Sequence, residues 1–277
     1  MRIREIRTRA NAVVKSALEA DILLAYVLGK PREFLLMHDE VEVAEKDAKT
    51  FFGLCEERAA GVPVAYLTHE REFFGLKFYV DQRVLIPRPE TELLVEETLR
   101  LCKDYEADLP APRIVDVGTG SGCVAIALAK NLPNAAITAV DISEDALAVA
   151  YKNAKTHGVT SQLTFRKNNL IVDLPPFDII VANLPYISTS ETALVSPETL
   201  HHEPHLALFG GATGYELFIT LFSQIAALPK PPLALIGEMG FNQREGLERE
   251  LAHFFPKARV VWKDDLAGLP RAFVLSF

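Results

Sequence analysis

Cysteine is scarce in this 277-residue chain: Cys55, Cys102 and Cys123 are an odd number, far apart, with no C-x-x-C spacing. Neither a disulfide framework nor a four-thiolate zinc site is suggested, and a reducing, cytoplasmic setting fits. Long hydrophobic runs are missing too. The best apolar stretches, such as residues 123–129, fall far short of the roughly 18 residues a membrane helix needs, so no membrane span is expected. Positive charge is in deficit: 29 Lys and Arg against 37 Asp and Glu leave a formal net charge of −8. Such a surface does not coat a polyanion, and no direct nucleic-acid partner is expected. Repeats and low-complexity tracts are absent, and 49% hydrophobic with 24% charged residues is a globular mix, not a disordered one. Arg2, Arg4, Arg7 and Arg9 are interrupted by Glu5 and precede no apolar signal core, so they read as the exposed face of a first helix.

What is present has a clear order. From Ile3 to about Ala60 apolar residues recur at three-to-four spacing, with Leu18, Ile22, Ala25 and Leu28 before the Gly29-Lys30-Pro31 stop and Phe51, Phe52, Leu54 and Cys55 before Gly61 and Pro63. This predicts a small helical domain. Alternation in Lys77–Val80 and Val84–Ile86 around Asp81-Gln82 predicts a β-hairpin connector. Beyond Pro87, seven short apolar runs alternate with helical segments: residues 113–117, 136–141, 162–165, 177–182, 233–237, 259–262 and 271–277. The fold class is α/β, a parallel sheet with helices on both faces.

Ile114-Val115-Asp116-Val117 reads as a buried strand, and Gly118-Thr119-Gly120-Ser121-Gly122 follows directly, before a helix. A glycine turn there lets the backbone approach a ligand closely and presents free N–H groups, while Asp141 at the end of the next strand can accept hydrogen bonds from ribose hydroxyls. The spacing is G-x-G-x-G, and Asp116 just upstream favours an ammonium-bearing ligand over a pyrophosphate. S-adenosylmethionine fits better than NAD.

After the strand at 177–182 comes Asn183-Leu184-Pro185-Tyr186, at a carboxyl end that faces the same crevice. Those residues suit methylation of a planar nitrogen, an amide or an exocyclic amine, whose lone pair is delocalised. The site must hold both N–H groups and leave the π face aimed at the methyl donor. Asn183 offers its side-chain oxygen, Leu184 its backbone carbonyl, and Tyr186 a ring to stack on the planar group. Pro185 pushes Leu184 toward an extended backbone, which turns that carbonyl outward.

Further motifs run nearly the length of the chain: residues 19–29 (EADILLAYVLG), 63–67 (PVAYL), 72–76 (EFFGL), 203–211 (EPHLALFGG), 264–268 (DDLAG) and above all 84–92, VLIPRPETE. On these the chain resembles the glutamine methyltransferases that modify peptide chain release factors, the HemK/PrmC family. The resemblance implies a helical substrate-docking domain at 1–72, a β-hairpin linker at 73–86, and a Rossmann-like class I S-adenosylmethionine-dependent methyltransferase domain at 87–277. It implies N5-methylation of the Gln in the Gly-Gly-Gln tripeptide of class I release factors; a monomer is expected, in the cytoplasmic setting that the cysteine content suggests. Gly118, Thr119, Gly120, Ser121, Gly122 and Asp141, with Asn169, Leu170 and Asn183, would hold the cofactor. Asn183, Leu184, Pro185 and Tyr186 would hold the substrate and carry catalysis. Two positions depart from the family pattern: Leu184 replaces its usual Pro, and Asn169 stands near where it commonly has Asp.

The rival reading is an adenine N6-methyltransferase acting on rRNA or DNA, which would share loop and corner; the net charge of −8 weighs against it. A non-catalytic docking module would require loss of Asn183 or Asp141, and both are present. His201, His202, His205 and Glu203 read as a surface loop, because Pro204 breaks helical ligand geometry. Arg88, Glu90 and Glu92 either line the cofactor pocket or cap the following helix. Glu238 faces the crevice by position, and Cys123 packs in the core.

Overall fold

The structure, a computed structural model, describes residues 1–277 apart from the side chain of Leu194. Five helices lead: α1 Ile3–Val14, α2 Ala17–Leu28, α3 Arg32–Met37, α4 Glu45–Ala59 and α5 Val64–Thr68. Ser16 caps α2 by accepting a hydrogen bond from the Glu19 amide, and Gly29 ends it in the left-handed conformation that glycine adopts without strain. Each longer helix buries one stripe: Ile3, Ile6 and Ala10 on α1, Ala20, Leu23 and Leu24 on α2, Ala48, Phe51 and Cys55 on α4. Full burial of one Leu, Ile or Phe contributes about 1.5–3 kcal/mol, so this small core is the main support of these helices. Polar ties reinforce it. Arg7 grips Asp21 with two bonds of 2.7 and 2.8 Å, and Arg58 bridges Glu19 and Glu198, the latter from a short helix much later in the chain. Arg2, Arg4 and Arg9 are exposed, as the amphipathic pattern requires.

By its contacts the chain divides into two compact units, Met1–Glu70 with Ser196–His202, and Arg71–Val195 with Glu203–Phe277. At the start of the second lie β1 Glu70–Phe73 and β2 Leu76–Tyr79. The hairpin is therefore earlier than the alternation predicted. It turns at Phe74-Gly75, both with positive φ (51° and 69°), the twist that a two-residue hairpin loop needs. Glu92 holds the Phe74 amide at 2.8 Å. Val84–Ile86 is not a strand: Val84 and Ile86 alternate because they are buried, and the Ile86 N–H finds the Glu203 carboxylate at 3.0 Å instead of a neighbouring strand.

A 3-10 turn, Pro89–Thr91, leads into α6 Glu92–Asp104. There follow β3 Arg113–Val117, α7 Cys123–Asn131, β4 Ala136–Asp141, α8 Glu144–His157, β5 Leu163–Lys167 and β6 Ile179–Ala182. The short β7 Ile187–Ser188, α9 Pro197–His202 and β8 Phe209–Gly211 precede α10 Glu216–Ala226, β9 Ala234–Glu238, α11 Arg244–Phe254, β10 Arg259–Asp264 and β11 Pro270–Ser276. Seven strands form one sheet in the order β10-β11-β9-β6-β3-β4-β5, parallel from β9 to β5 with β11 antiparallel. Period-two alternation sorts side chains to two cores: Ile114, Ile137, Ile179 and Ile236 pack with α6 and α7, whereas Val115, Val140, Ile180 and Leu235 pack with α10 and α11. Strand order reverses between β3 and β6, so the carboxyl ends of those two neighbours open a crevice at the switch point.

Candidate active site

The glycine loop and the Asn-Leu-Pro-Tyr corner occupy those two carboxyl ends. Gly118, Gly120 and Gly122 have φ of 75°, 53° and 81°, the left-handed region in which a side chain is strained. The loop hangs from β4: the amides of Gly118 and Thr119 both reach the Val140 carbonyl at 2.9 Å. A Cβ on Gly118 would come within 3.1 Å of the Asn183 carbonyl oxygen, so loop and corner touch at a point only glycine permits.

One cleft is lined by Asp116–Ser121, Val140–Ser143, Asn168–Leu170, Asn183–Pro185, the 83–88 segment and Leu206. Asp141 Oδ2 accepts the Gly120 amide and Oδ1 the Ser143 amide, each at 2.9 Å, which fixes its carboxylate and leaves its outer lone pairs toward the cleft. Burial pushes its pKa up despite those bonds. Asp116, buried with the Thr119 hydroxyl donating at 2.6 Å, is pushed up to about 6 by desolvation, with the charge of Asp141 adding to the rise. Arg83 is engaged by Asp81 and Arg88 by Glu203, so the carboxylates dominate the charge facing the loop. Such a cleft accommodates a cation and opposes a pyrophosphate. Ser121 Oγ is buried beside it with no oxygen or nitrogen partner among the described residues. Leu170 takes a φ of 57°, a conformation rare for a side chain larger than Asn, and Asn168 braces it by donating to the carbonyls of Leu170 and Val172. A ribose-bearing, cationic, partly apolar ligand such as S-adenosylmethionine fits these residues.

At the corner, Asn183 Nδ2 donates to Thr91 Oγ1 at 3.1 Å, and Thr91 Oγ1 donates to Glu238 Oε2 at 2.7 Å. Leu184 is buried, while Tyr186 stands apart from the cleft lining with its hydroxyl directed to Glu238. Burial and the Glu238 charge push the Tyr186 phenol well above its ordinary value. Glu238 itself is pushed up to about 7 by complete burial, against the hydrogen bonds of Thr91 and Tyr186 and the field of Arg271. Gln243 donates to the Tyr186 carbonyl at 2.6 Å, and β7 pairs with β8, fastening the chain after the corner to residues 209–211.

Sequence reasoning singled out Glu238 only by position and missed Thr91, Gln243 and the β7–β8 pair. Glu203 turned out to be a brace: it is buried, holding the Ile86 amide and the Arg88 guanidinium. Arg88 lines the cleft, whereas Glu90 is exposed and Glu92 holds the hairpin turn. Cys123 is buried in α7, its thiol pushed up to about 12 by desolvation.

A switch-point crevice with a glycine loop, a ribose-ready acid and an Asn-x-Pro-Tyr corner defines an S-adenosylmethionine-dependent methyltransferase. Residues 5–68 match the PrmC N-terminal domain family and residues 91–211 the methyltransferase small domain. The chain is 44% identical over 208 residues to the release factor glutamine methyltransferase of Chlorobaculum tepidum, covering 73% of this chain and 70% of that protein. Identity is 38% to the Bradyrhizobium diazoefficiens enzyme of the same name (96% and 90% covered) and 35% to that of Deinococcus radiodurans (98% and 97%). The chain belongs to the release factor glutamine methyltransferase family. Among solved structures, the catalytic domain of human Mettl16 in complex with an RNA hairpin shares the fold at TM-score 0.61 and 17% identity over 92% of each chain. The human methyltransferase 10 domain containing protein does so at 0.53 and 19%, over 74% of this chain and 90% of that one.

Proposed function

We propose that this enzyme transfers a methyl group from S-adenosylmethionine to the side-chain amide N5 of the Gln in the Gly-Gly-Gln motif of class I peptide chain release factors, in the cytoplasm and as a single chain. Identity of 35–38% over nearly the whole chain to relatives of that name carries the reading. Among the described residues, no helix is long and apolar enough to cross a membrane.

When bound, the cofactor supplies an electrophilic methyl carbon on a cationic sulfur. Every other contribution is the protein's. Asp141 accepts the ribose hydroxyls, the Gly118–Gly122 backbone receives the amino-acid end, and Asn169 and Leu170 border the adenine. Asn183 Oδ1, left free of Thr91, accepts one N–H of the substrate amide and the Leu184 carbonyl the other. Leucine at 184 preserves this chemistry because the acceptor is a backbone oxygen and Pro185 still restrains it. Tyr186, set back from the cleft lining, anchors the corner through its hydroxyl on Glu238. With both N–H groups held, the π face of the nitrogen would be left open toward the bound methyl donor; as the N–C bond formed and the S–C bond broke, the thioether would be the leaving group and one amide proton would go to water. Catalysis is positioning and electrostatics, with the buried apolar side chain of Leu184 walling the corner.

Supplying labelled S-adenosylmethionine together with release factor, stem-loop RNA or duplex DNA tests the substrate. Label is expected on the Gln of the tripeptide; label on RNA or DNA with none on the release factor sinks the reading in favour of adenine methylation. Asp141→Ala is expected to weaken cofactor binding by about 10- to 100-fold, because it removes the ribose acceptor and strands the Gly120 and Ser143 amides. Calorimetric titration with S-adenosylmethionine measures it.

A further inference from the structure

We propose that Thr91 and Glu238 are positioning residues that decide which end of the Asn183 side-chain amide faces the substrate. The proposal rests on the amide-methylation reading. An Asn amide has one accepting and one donating end of nearly equal shape, and methylation of an amide nitrogen needs the oxygen toward the substrate. Nothing on Asn183 itself selects that end. The selection comes from behind it: Thr91, 2% exposed, receives Nδ2 at 3.1 Å, and Glu238, 1% exposed, receives the Thr91 hydroxyl at 2.7 Å. A hydroxyl has a single proton. With an ionised carboxylate as the terminal acceptor, that proton must point to Glu238, and Thr91 can then only accept from Asn183. The order of the chain thus dictates the orientation of the amide. The same carboxylate receives the Tyr186 hydroxyl, so one buried group sets both polar ends of the corner.

The electrostatic setting makes the device sensitive to pH. Besides Thr91, Glu238 faces Arg271 from β11, the Tyr186 hydroxyl, Glu90 from the turn before α6 and Cys123 from α7. Burial outweighs the favourable partners and raises its pKa to about 7. Once protonated, the carboxyl can donate to Thr91, which frees the hydroxyl proton to point at Asn183 and admits the reversed amide. Turnover therefore rises as pH climbs through about 7.

Four proteins test this: the parent, Thr91→Val, Thr91→Ser and Glu238→Gln, each checked for its melting temperature and its affinity for S-adenosylmethionine. With release factor as substrate, Thr91→Val is expected to lower kcat about 10- to 100-fold with cofactor affinity within about twofold, while Thr91→Ser stays within about threefold of the parent. Glu238→Gln is expected to flatten the rise of kcat with pH. In parallel, nitrogen-15 labelling of asparagine follows the Asn183 side-chain NH2 signals by NMR without any substrate. These signals are expected to move and broaden in Thr91→Val and to keep their parental positions in Thr91→Ser. Parental NMR signals in Thr91→Val overturn the proposal. So does a Thr91→Val kcat within twofold of the parent, a Thr91→Ser defect equal to that of Thr91→Val, or an unchanged pH rise in Glu238→Gln. A parent inactive on release factor sinks the substrate reading alone, since the NMR comparison still decides whether Thr91 orients Asn183.

Discussion

Asn183→Ala is expected to cut methyl transfer to the release factor by about 10²–10³-fold or more, the scale of losing one preorganised polar group aimed at the reacting centre. Cofactor affinity should stay within about threefold of the parent, because the loop and Asp141 that receive the cofactor do not hydrogen-bond the Asn183 side chain. The asymmetry is the informative part. Single-turnover transfer of label, beside calorimetric titration of S-adenosylmethionine, separates the two. If binding and turnover fell together, the corner would be part of the cofactor site and not a holder of the substrate amide.

Gly210→Ala is expected to damage both activity and stability in the catalytic unit. A Cβ there would lie 2.2 Å from the Pro185 carbonyl oxygen and 2.4 Å from that of Gly214, two backbone atoms that cannot swing aside as the end of a flexible side chain can. Relief requires β8 to move away from the corner it fastens, so kcat should fall at least about tenfold and stability by about 1–3 kcal/mol, as for other overpacked sites. Gly53→Ala supplies the contrast. Its Cβ would meet nothing within 4 Å on α4, and replacing a helical glycine there should raise stability by about 0.5–1 kcal/mol with kcat unchanged. Urea unfolding and steady-state kinetics on both variants check the pair.

The seven-stranded sheet was legible because its signals are local: short apolar runs, punctuating glycines and helix caps each act within a few residues. The loop at Gly118–Gly122 and the acid at Asp141 were legible for the same reason, since strand, turn and helix follow one another in the chain. Three features were not. Val84-Leu85-Ile86 alternates as a strand does, but alternation records burial, and its partner proved to be the carboxylate of Glu203 and not a backbone ladder. The Thr91–Glu238 contact joins residues 147 positions apart, and no periodicity relates them. Thr91 reads in sequence as one polar residue among several in a helix-starting turn; only the packed sheet shows what it faces. Strands as short as β7 and β8 carry too few residues for alternation to register, although the paired glycines Gly210 and Gly211 were a visible sign of close backbone approach.

The separation between Thr91 and Glu238 also bears on the order in which the enzyme acquires its activity. A chain leaving the ribosome from its N-terminus presents Thr91 early, Asn183 later and Glu238 only with β9, which pairs with β6 before β11 has been made. The helical unit and the β3–β6 half of the sheet can gain local structure before then, because their contacts are nearer in sequence. The corner cannot, for its terminal acceptor does not yet exist. Until β9 is in place, a nascent chain with a nearly complete cofactor loop has an Asn183 free to present either end of its amide, so competence arrives in one late step rather than by degrees.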